Sequence, residues 1–390
     1  MKKVIAMLLC VALVACMFVG CAKDDGKKTE APKETEAVKE TDGAPAESEL
    51  NVGVFYYQFS DVYLSSVRTA LNEKLDAAGI KHQEFDGANT QATQNEQIQT
   101  AVTNGCNLLV VNLVTSGSSD AAKAIMEIAG DIPVIFFNRA VEGEDDEPGI
   151  VLNNYKNVCF VGTDAPEAGH LQGKMAGEYI LEHYDELDLN KDGTISYAMF
   201  KGDESNVEAI ARTQYGVEDA NKVLTEAGKP EMAYFDANNK AGYQVDMGGA
   251  WSAAAALEYM NTNLAQYNEA NENMIEVILC NNDGMAEGVI SALNTAGYNL
   301  GDGESTTIPV WGVDATDSAK DLIANGKMTG TVKQDAEGMA SAITEIVKGI
   351  GAGTAIADAV AATSTSNEIF SVDKTLANKL YVAYAPYTGE

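Results

Sequence analysis

The feature that most constrains this chain is a recurring pair, a short unbroken apolar run followed by an amphipathic stretch of helical period. Strand-like runs lie at residues 50–55, 108–113, 132–137, 158–161, 195–200, 277–280 and 308–313. Helical patterns lie between them at 62–78, 121–129, 165–181, 207–227, 285–296 and 337–348. Strands that are apolar on both faces are covered on both faces, which is the signature of parallel sheets. Their alternation with helices places the chain in the α/β class, with parallel sheets flanked by helices. At 390 residues there is material for two domains. No repeat period is evident, and no Walker sequence or glycine fingerprint follows the first strand, so nucleotide binding has no support.

In open α/β sheets, ligands bind beyond the carboxyl ends of the strands. Tyr56, Tyr57, Asp61 and Tyr63 follow the first run, and Asn138 and Arg139 follow the run at 132–137. Asn206, Glu208 and Arg212 follow 195–200, Asn281, Asn282 and Asp283 follow 277–280, and Asp314 follows 308–313. Amides and carboxylates accept from and donate to vicinal hydroxyls, guanidinium adds a fork of donors, and aromatic faces cover apolar C–H faces. The set suits an uncharged polyol. Each member also has an ordinary explanation. Asp61 and Asp283 stand where helices start and could be N-caps. Glu208 and Arg212, four apart, could be a surface ion pair of little worth. Asn138 could cap a turn. Their recurrence at one topological place favours a site.

The chain opens with Met1-Lys2-Lys3 and an apolar run over residues 4–20, the pattern of a secretory signal peptide. Cys16 and Cys21 each end an apolar stretch in the manner of a lipoprotein lipobox. Cys21 is favoured because charge begins right after it, which gives a lipid anchor and a signal peptide over 1–21. Residues 22–48 are rich in Lys, Glu, Thr, Ala and Pro and are expected to form a disordered tether. The formal net charge of -32 disfavours nucleic acid and anionic headgroups as partners. Cys106, Cys159 and Cys280 are too widely spaced for a disulfide framework, and His170 and His183 lack metal-ligand spacing.

Residues 188–196 read Asp-Leu-Asn-Lys-Asp-Gly-Thr-Ile-Ser, the first half of an EF-hand loop, with oxygen ligands at alternate positions and a glycine for the turn. The twelfth position, where a bidentate Glu belongs, is Met199. Either a carboxylate arrives from elsewhere, or the segment is an Asx-rich turn; the spacing favours calcium.

From about Asn51 to about Ser341 the chain resembles the bacterial galactose/glucose-binding proteins, sugar receptors of ABC transporters. The matching stretches are Val134-Ile135-Phe136-Phe137-Asn138, Val161-Gly162-Thr163-Asp164, residues 188–193, Ala211-Arg212-Thr213, residues 276–283 with their Asn-Asn-Asp, and Pro309-Val310-Trp311-Gly312-Val313-Asp314-Ala315. The resemblance implies two Rossmann-like lobes of the type I periplasmic binding protein kind, joined by three hinge crossings near Gly162, Asp335 and Asn367. The first lobe would comprise 49–161 plus 336–367, and the second 162–335 plus 368–390. It also implies an aldohexose in the cleft, held by Asp61, Asn138, Arg212, Asn282 and Asp314 between the aromatic rings of Tyr63 and Trp251, with Tyr57 near the mouth. Asn206 stands where the family has His, Glu208 where it has Asp and Gln334 where it has Asn, which puts the identity of the sugar in doubt. The calcium loop, Asp188, Asn190, Asp192, the Thr194 carbonyl and Ser196, would be completed by Glu276, with Ser196 in place of a longer amide.

The resemblance implies a monomeric, non-enzymatic receptor. It would capture a monosaccharide, galactose or glucose first, by cleft closure at the outer face of the cell membrane and deliver it to ABC permease subunits. A chemoreceptor is a further candidate partner. The competing readings are a receptor for a pentose or inositol, a sugar-responsive repressor, which would need a basic headpiece this chain lacks, and a glycosidase using Asp61 and Glu208.

Overall fold

The computed structural model describes residues 49–389. The expected signal peptide, the lipidation site Cys21 and the tether lie outside the described residues. The chain begins with β1 (Asn51–Tyr56), α1 (Val62–Ala77), β2 (Lys81–Asp86), α2 (Gln91–Thr103), β3 (Leu108–Val111), α3 (Asp120–Ala129), β4 (Val134–Phe137) and β5 (Val158–Gly162). It continues through α4 (Ala165–Glu182), α5 (Tyr184–Leu187), β6 (Ser196–Lys201), α6 (Val207–Glu226), β7 (Ala233–Tyr234), β8 (Gln244–Val245) and α7 (Ala253–Leu264). Next come β9 (Val277–Cys280), α8 (Asp283–Thr295), β10 (Val310–Asp314), α9 (Asp317–Ala324) and β11 (Gly330–Gln334). It closes with α10 (Ala336–Gly351), α11 (Ile356–Ser364), β12 (Phe370–Val372), β13 (Lys379–Val382) and β14 (Tyr384–Tyr387).

Two sheets result, in the orders β12-β13-β5-β4-β3-β1-β2 and β14-β11-β10-β9-β6-β7, with β8 beside β6. The ladders β12–β13 and β11–β14 are antiparallel, and β1, β3, β4, β5 and β13 run parallel, as do β6, β9, β10 and β11. The central parallel strands β3, β4, β5 and β9 are buried on both faces because each face meets a helix layer. In β4, Ile135 and Phe137 enter one core of the first lobe, and Val134 and Phe136 enter the other. In the second lobe, Ala198 and Phe200 of β6 point into one core, and Tyr197 and Met199 into the opposite one. This is the two-residue alternation of a pleated strand, and truncating a ring such as Phe136 would cost about 3–5 kcal/mol.

The chain passes from sheet to sheet after β5, at Asp335 between β11 and α10, and at Ala383 between β13 and β14. The crossing expected near Asn367 is therefore corrected, and so is the assignment of 368–383 to the second lobe. β13 runs beside β5, with Leu380 opposite Val161, and buries Leu380 and Val382 in a first-lobe core. The single residue Ala383 then separates it from β14, which pairs with β11 of the second sheet. Two strands of different sheets abut here with no loop to mark the change.

A glycine ridge brings the site's main helix into place. Gly169, Gly173 and Gly177 recur every fourth residue along α4, where a Cβ would meet Ala211 O at 2.7 Å, Tyr215 O at 2.6 Å and the Ala220 Cα at 2.9 Å. Without side chains on that ridge α6 lies directly on α4, which fixes the helix that carries Glu208 and Arg212.

Candidate functional site

The ten residues expected to contact a ligand, Asp61, Tyr63, Asn138, Asn206, Glu208, Arg212, Trp251, Asn282, Asp314 and Gln334, line a single cavity between the lobes. Tyr57 and Arg139 join them, and in this closed arrangement the free volume of the cavity is about 40 Å³, below the roughly 300–1,000 Å³ range of ligand pockets. A wider groove between α1 and α10, lined by Lys74, Thr344 and Lys348, is open to solvent and gathers no comparable set of polar groups.

The ordinary explanations and the site reading prove compatible. Asp61, Asn206 and Asn282 are N-caps, accepting from Leu64 N, Ala209 N and Met285 N respectively. Asn282, not Asp283, caps α8; Asp283 is its first residue. A helix that starts at the carboxyl end of a strand has its cap in the cleft, so one side chain serves both ends. Glu208 and Arg212 do not form a surface pair, since both are buried. Asn138, Trp251 and Asp314 have φ of 63°, 55° and 132°, conformations that side-chain-bearing residues adopt at a cost and that cluster at ligand sites.

The side chains that line the cavity are held from behind. Arg139 donates through Nη1 to the carbonyls of Leu113 and Val114, and its guanidinium lies over the Tyr57 ring, 4.1 Å from the centroid. Tyr57 Oη donates to Asp61 Oδ2 at 2.6 Å. Arg212 donates through Nη1 to Asn281 O and through Nη2 to Gln334 Oε1, each at 2.8 Å. Trp251 sits against Gly202, where a Cβ would be 2.1 Å from the indole, and Asn282 Nδ2 donates to the Trp251 carbonyl at 3.3 Å.

Among the buried polar atoms with no protein partner are Tyr63 Oη, Glu208 Oε2, Arg212 Nε and Gln334 Nε2, while Arg139 Nη2 lies 3.5 Å from Asp203 Oδ2. All four belong to residues that line this cavity. Burial raises the pKa of Glu208, opposed in part by Arg212 and Arg139. Burial also pushes Asp314 well above the carboxylate range, and nearby Asp283 adds to the effect. Three carboxylic groups, Asp61, Glu208 and Asp314, thus line the cavity with two guanidinium groups, Arg139 and Arg212, and Asp203 pairs with Arg139. The cavity offers both donors and acceptors, and two aromatic residues from opposite lobes, Tyr63 and Trp251.

The lobes also touch directly. Gln58 Nε2 donates to Ala250 O at 3.2 Å and Asn89 Nδ2 to Gly248 O at 2.9 Å. Asn206 Nδ2 donates to Ser116 Oγ at 2.8 Å, and Ala140 N to Glu208 Oε1 at 3.2 Å. Sequence reading missed Gln58, Asn89 and Ser116, and nothing in their local patterns marks them.

At residues 188–196 a tight loop forms, and Glu276 reaches it as expected. Its Oε1 accepts from Asn190 N at 2.9 Å and its Oε2 from Ser196 N at 2.8 Å. Asp188 accepts from Asp192 N and Gly193 N, and Asp192 from Thr194 N. Among the described residues no three His, Cys, Asp or Glu side chains converge closely enough to form a metal cluster. The donor set is nonetheless all oxygen, as calcium requires, and it is short of cations. Asp188, Asp192 and Glu276 make no ion pair among the described residues. Burial raises the pKa of Glu276; the hydrogen bonds from Ser196 and Asn190 oppose this, and the charge of Asp188 adds to it.

Among the described residues no helix is long and apolar enough to cross a membrane. Residues 52–355 match the family described as periplasmic binding protein domain. The chain is 31% identical over 306 residues to the D-galactose/methyl-galactoside binding periplasmic protein of Haemophilus influenzae, spanning 77% of this chain and 82% of that one. Its fold is shared with an ABC transporter solute binding protein from Clostridium phytofermentans with bound β-D-glucose, at a TM-score of 0.62 and 22% identity, covering 87% of this chain and 94% of that one. It is shared equally with one from Bacillus halodurans with bound myo-inositol, at a TM-score of 0.62 and 19% identity, covering 89% and 96%. Two lobes of mostly parallel sheets, a polar cleft between them and this match place the chain in the periplasmic binding protein family.

Proposed function

We propose that the protein is an extracytoplasmic receptor that captures a monosaccharide by closing its lobes and delivers it to an ABC importer, without chemical turnover. One observation carries this reading: four buried, unpartnered polar atoms are gathered around one cavity. A buried polar group without a partner costs about 1–3 kcal/mol, so four together call for an occupant with several hydroxyls. A lining that carries guanidinium and carboxyl groups side by side favours a neutral one. Tyr63 on one lobe and Trp251 on the other suit the two faces of a pyranose ring, and galactose and glucose are the first candidates, with inositol and pentoses the alternatives. Because the ligand touches both lobes only when they are closed, that differential contact draws the equilibrium toward closure. Titration calorimetry with galactose, glucose, ribose, arabinose and myo-inositol tests the reading. Heat of binding with at least one is expected; no heat with any would remove it, and release of product from a galactoside or glucoside would remove the non-enzyme part.

The same reading assigns calcium to the loop at 188–196. Asp188, Asn190, Asp192, the Thr194 carbonyl, Ser196 and Glu276 would hold it, and the cation would balance three carboxylates that lack a basic partner. Attachment through Cys21 would hold the receptor at the outer face of the membrane, which mass spectrometry of the mature N-terminus tests.

A further inference from the structure

The cavity and the three crossings share one hydrogen-bonded group. Arg212 Nη2 donates to Gln334 Oε1 at 2.8 Å and to Tyr384 Oη at 3.0 Å. Gln334 ends β11, one residue before the second crossing, and Tyr384 opens β14, one residue after the third. The two sit opposite each other in the β11–β14 ladder. Tyr384 Oη is in turn 2.8 Å from Thr163 Oγ1, on the first crossing. A guanidinium can only donate. Tyr384 Oη therefore accepts from Arg212, and its own proton is free for Thr163 Oγ1.

Tyr384 is buried and does not line the cavity. Its ring packs with Ala168, Val313 and Val332, so packing alone would be served as well by phenylalanine. The hydroxyl has a separate use. It joins the cavity's guanidinium to the segment that must change its backbone angles when the lobes move.

We propose that Tyr384 is a positioning residue, which orients Arg212 so that its Nε–H faces the cavity and couples that orientation to Thr163 on the first crossing. The inference rests on the cavity being the ligand site. In the closed arrangement, both Nη groups are occupied by Asn281, Gln334 and Tyr384, and Nε is left for the ligand. When the crossings rearrange, the Thr163–Tyr384 contact changes, and with it the support behind Arg212.

The chain has three arginines, Arg68, Arg139 and Arg212, so the guanidinium nitrogen signals of Arg212 can be assigned by NMR. Tyr384→Phe and Thr163→Val are compared with the parent protein, with and without the sugar that the calorimetric panel selects. In Tyr384→Phe the Nη2 signal of Arg212 is expected to shift and the exchange between its Nη signals to quicken, since Nη2 keeps Gln334 alone while Nη1 keeps Asn281. Affinity should fall about tenfold, the scale of one hydrogen bond to a charged group, with the melting temperature little changed. Thr163→Val touches neither Arg212 nor the cavity, yet should shift the same signals and weaken binding in the same direction. Unchanged Arg212 signals in Tyr384→Phe would overturn the positioning role, and a Thr163→Val protein identical to the parent in both readouts would overturn the coupling. If the parent binds no sugar in the panel, the receptor reading fails, while the guanidinium spectra still decide whether Tyr384 fixes Arg212. Should Tyr384→Phe not fold, Thr163→Val decides the coupling alone.

Discussion

Asn206 caps α6 through its Oδ1, which accepts Ala209 N at 2.9 Å, and ties the lobes together through its Nδ2, which donates to Ser116 Oγ at 2.8 Å. Both ends of this amide are engaged within the protein, so its main effect on a ligand is to favour the closed form. Ser116 is buried but does not line the cavity. Ser116→Ala should weaken sugar binding by roughly 1 kcal/mol, the net worth of one hydrogen bond. The loss should appear as faster dissociation, because the bond forms after the lobes meet. Stopped-flow measurement checks this; an unchanged off-rate would return Asn206 to the role of a simple contact residue.

The site was more legible in the sequence than the fold around it. Strand ends bearing Asn138, Asn206, Asn282 and Asp314 stand out because each follows an apolar run, and parallel sheets put those ends at one place. β2, with the sequence Lys-His-Gln-Glu-Phe-Asp, escaped notice because it is an edge strand with no fully buried residue. α2 escaped because it is built mainly from Gln, Thr and Asn, and Ile98 is the one large apolar side chain it buries, beside Gln94 and Ala101. β13 and β14 are short and separated by Ala383 alone, so the third crossing had no mark in composition. Tyr384 and Thr163 belong to the same blind region, since their hydroxyls meet across a separation of 221 positions in the sequence.

Calcium should stabilise the second lobe. A ligand that binds only the folded state raises the melting temperature by mass action. Chelation with EDTA is therefore expected to lower it, and Glu276→Ala should melt lower and lose its sensitivity to the chelator. Differential scanning calorimetry on calcium-loaded protein makes the comparison. If EDTA leaves the transition of the parent unmoved, Glu276 closes the loop by its hydrogen bonds to Asn190 N and Ser196 N alone.

Stability should rise on mild acidification. Burial lifts the Asp283 pKa from 3.8 to about 6, partly offset by donors from Thr331 and Thr316. Burial also raises Glu208, Glu276, Glu287 and Asp314. A carboxyl with a raised folded pKa binds its proton more tightly in the folded state, so its contribution is complete below the unfolded pKa and is lost as pH rises through the folded one. For Asp283 that window runs from about pH 4 to about pH 6. Asp373 works in the opposite sense. Burial disfavours its charge, but donors from Thr375, Tyr381 and Leu376 hold it at about 2, so its contribution is lost only below pH 4. The metal-free, sugar-free protein should melt higher at pH 5 than at pH 8, and Asp283→Asn should flatten the slope between pH 4 and 6. A melting temperature that climbs steadily from pH 5 to pH 8 would contradict the burial argument.

Trp251 and Gly202 form a pair whose two substitutions separate contact from placement. Trp251 is one of two tryptophans in the chain, and the other, Trp311, is buried in a second-lobe core. Trp251→Ala should weaken sugar binding by about 2–4 kcal/mol, the scale of a well-packed aromatic anchor, and should abolish most of the ligand-induced change in tryptophan fluorescence. Gly202→Ala leaves the indole present but forces it away, since the added Cβ would sit 2.1 Å from the ring. Gly202 is not among the residues with positive φ, so an alanine there strains no backbone, and its effect comes from displacing the ring. Gly202→Ala is therefore expected to retain the fold and a fluorescence response of altered size, with affinity reduced at least tenfold. Isothermal calorimetry and emission spectra on the two variants distinguish the cases. If Gly202→Ala binds as the parent does while Trp251→Ala fails, the indole contributes by area and tolerates displacement. If both bind as the parent does, Trp251 is not a ligand contact.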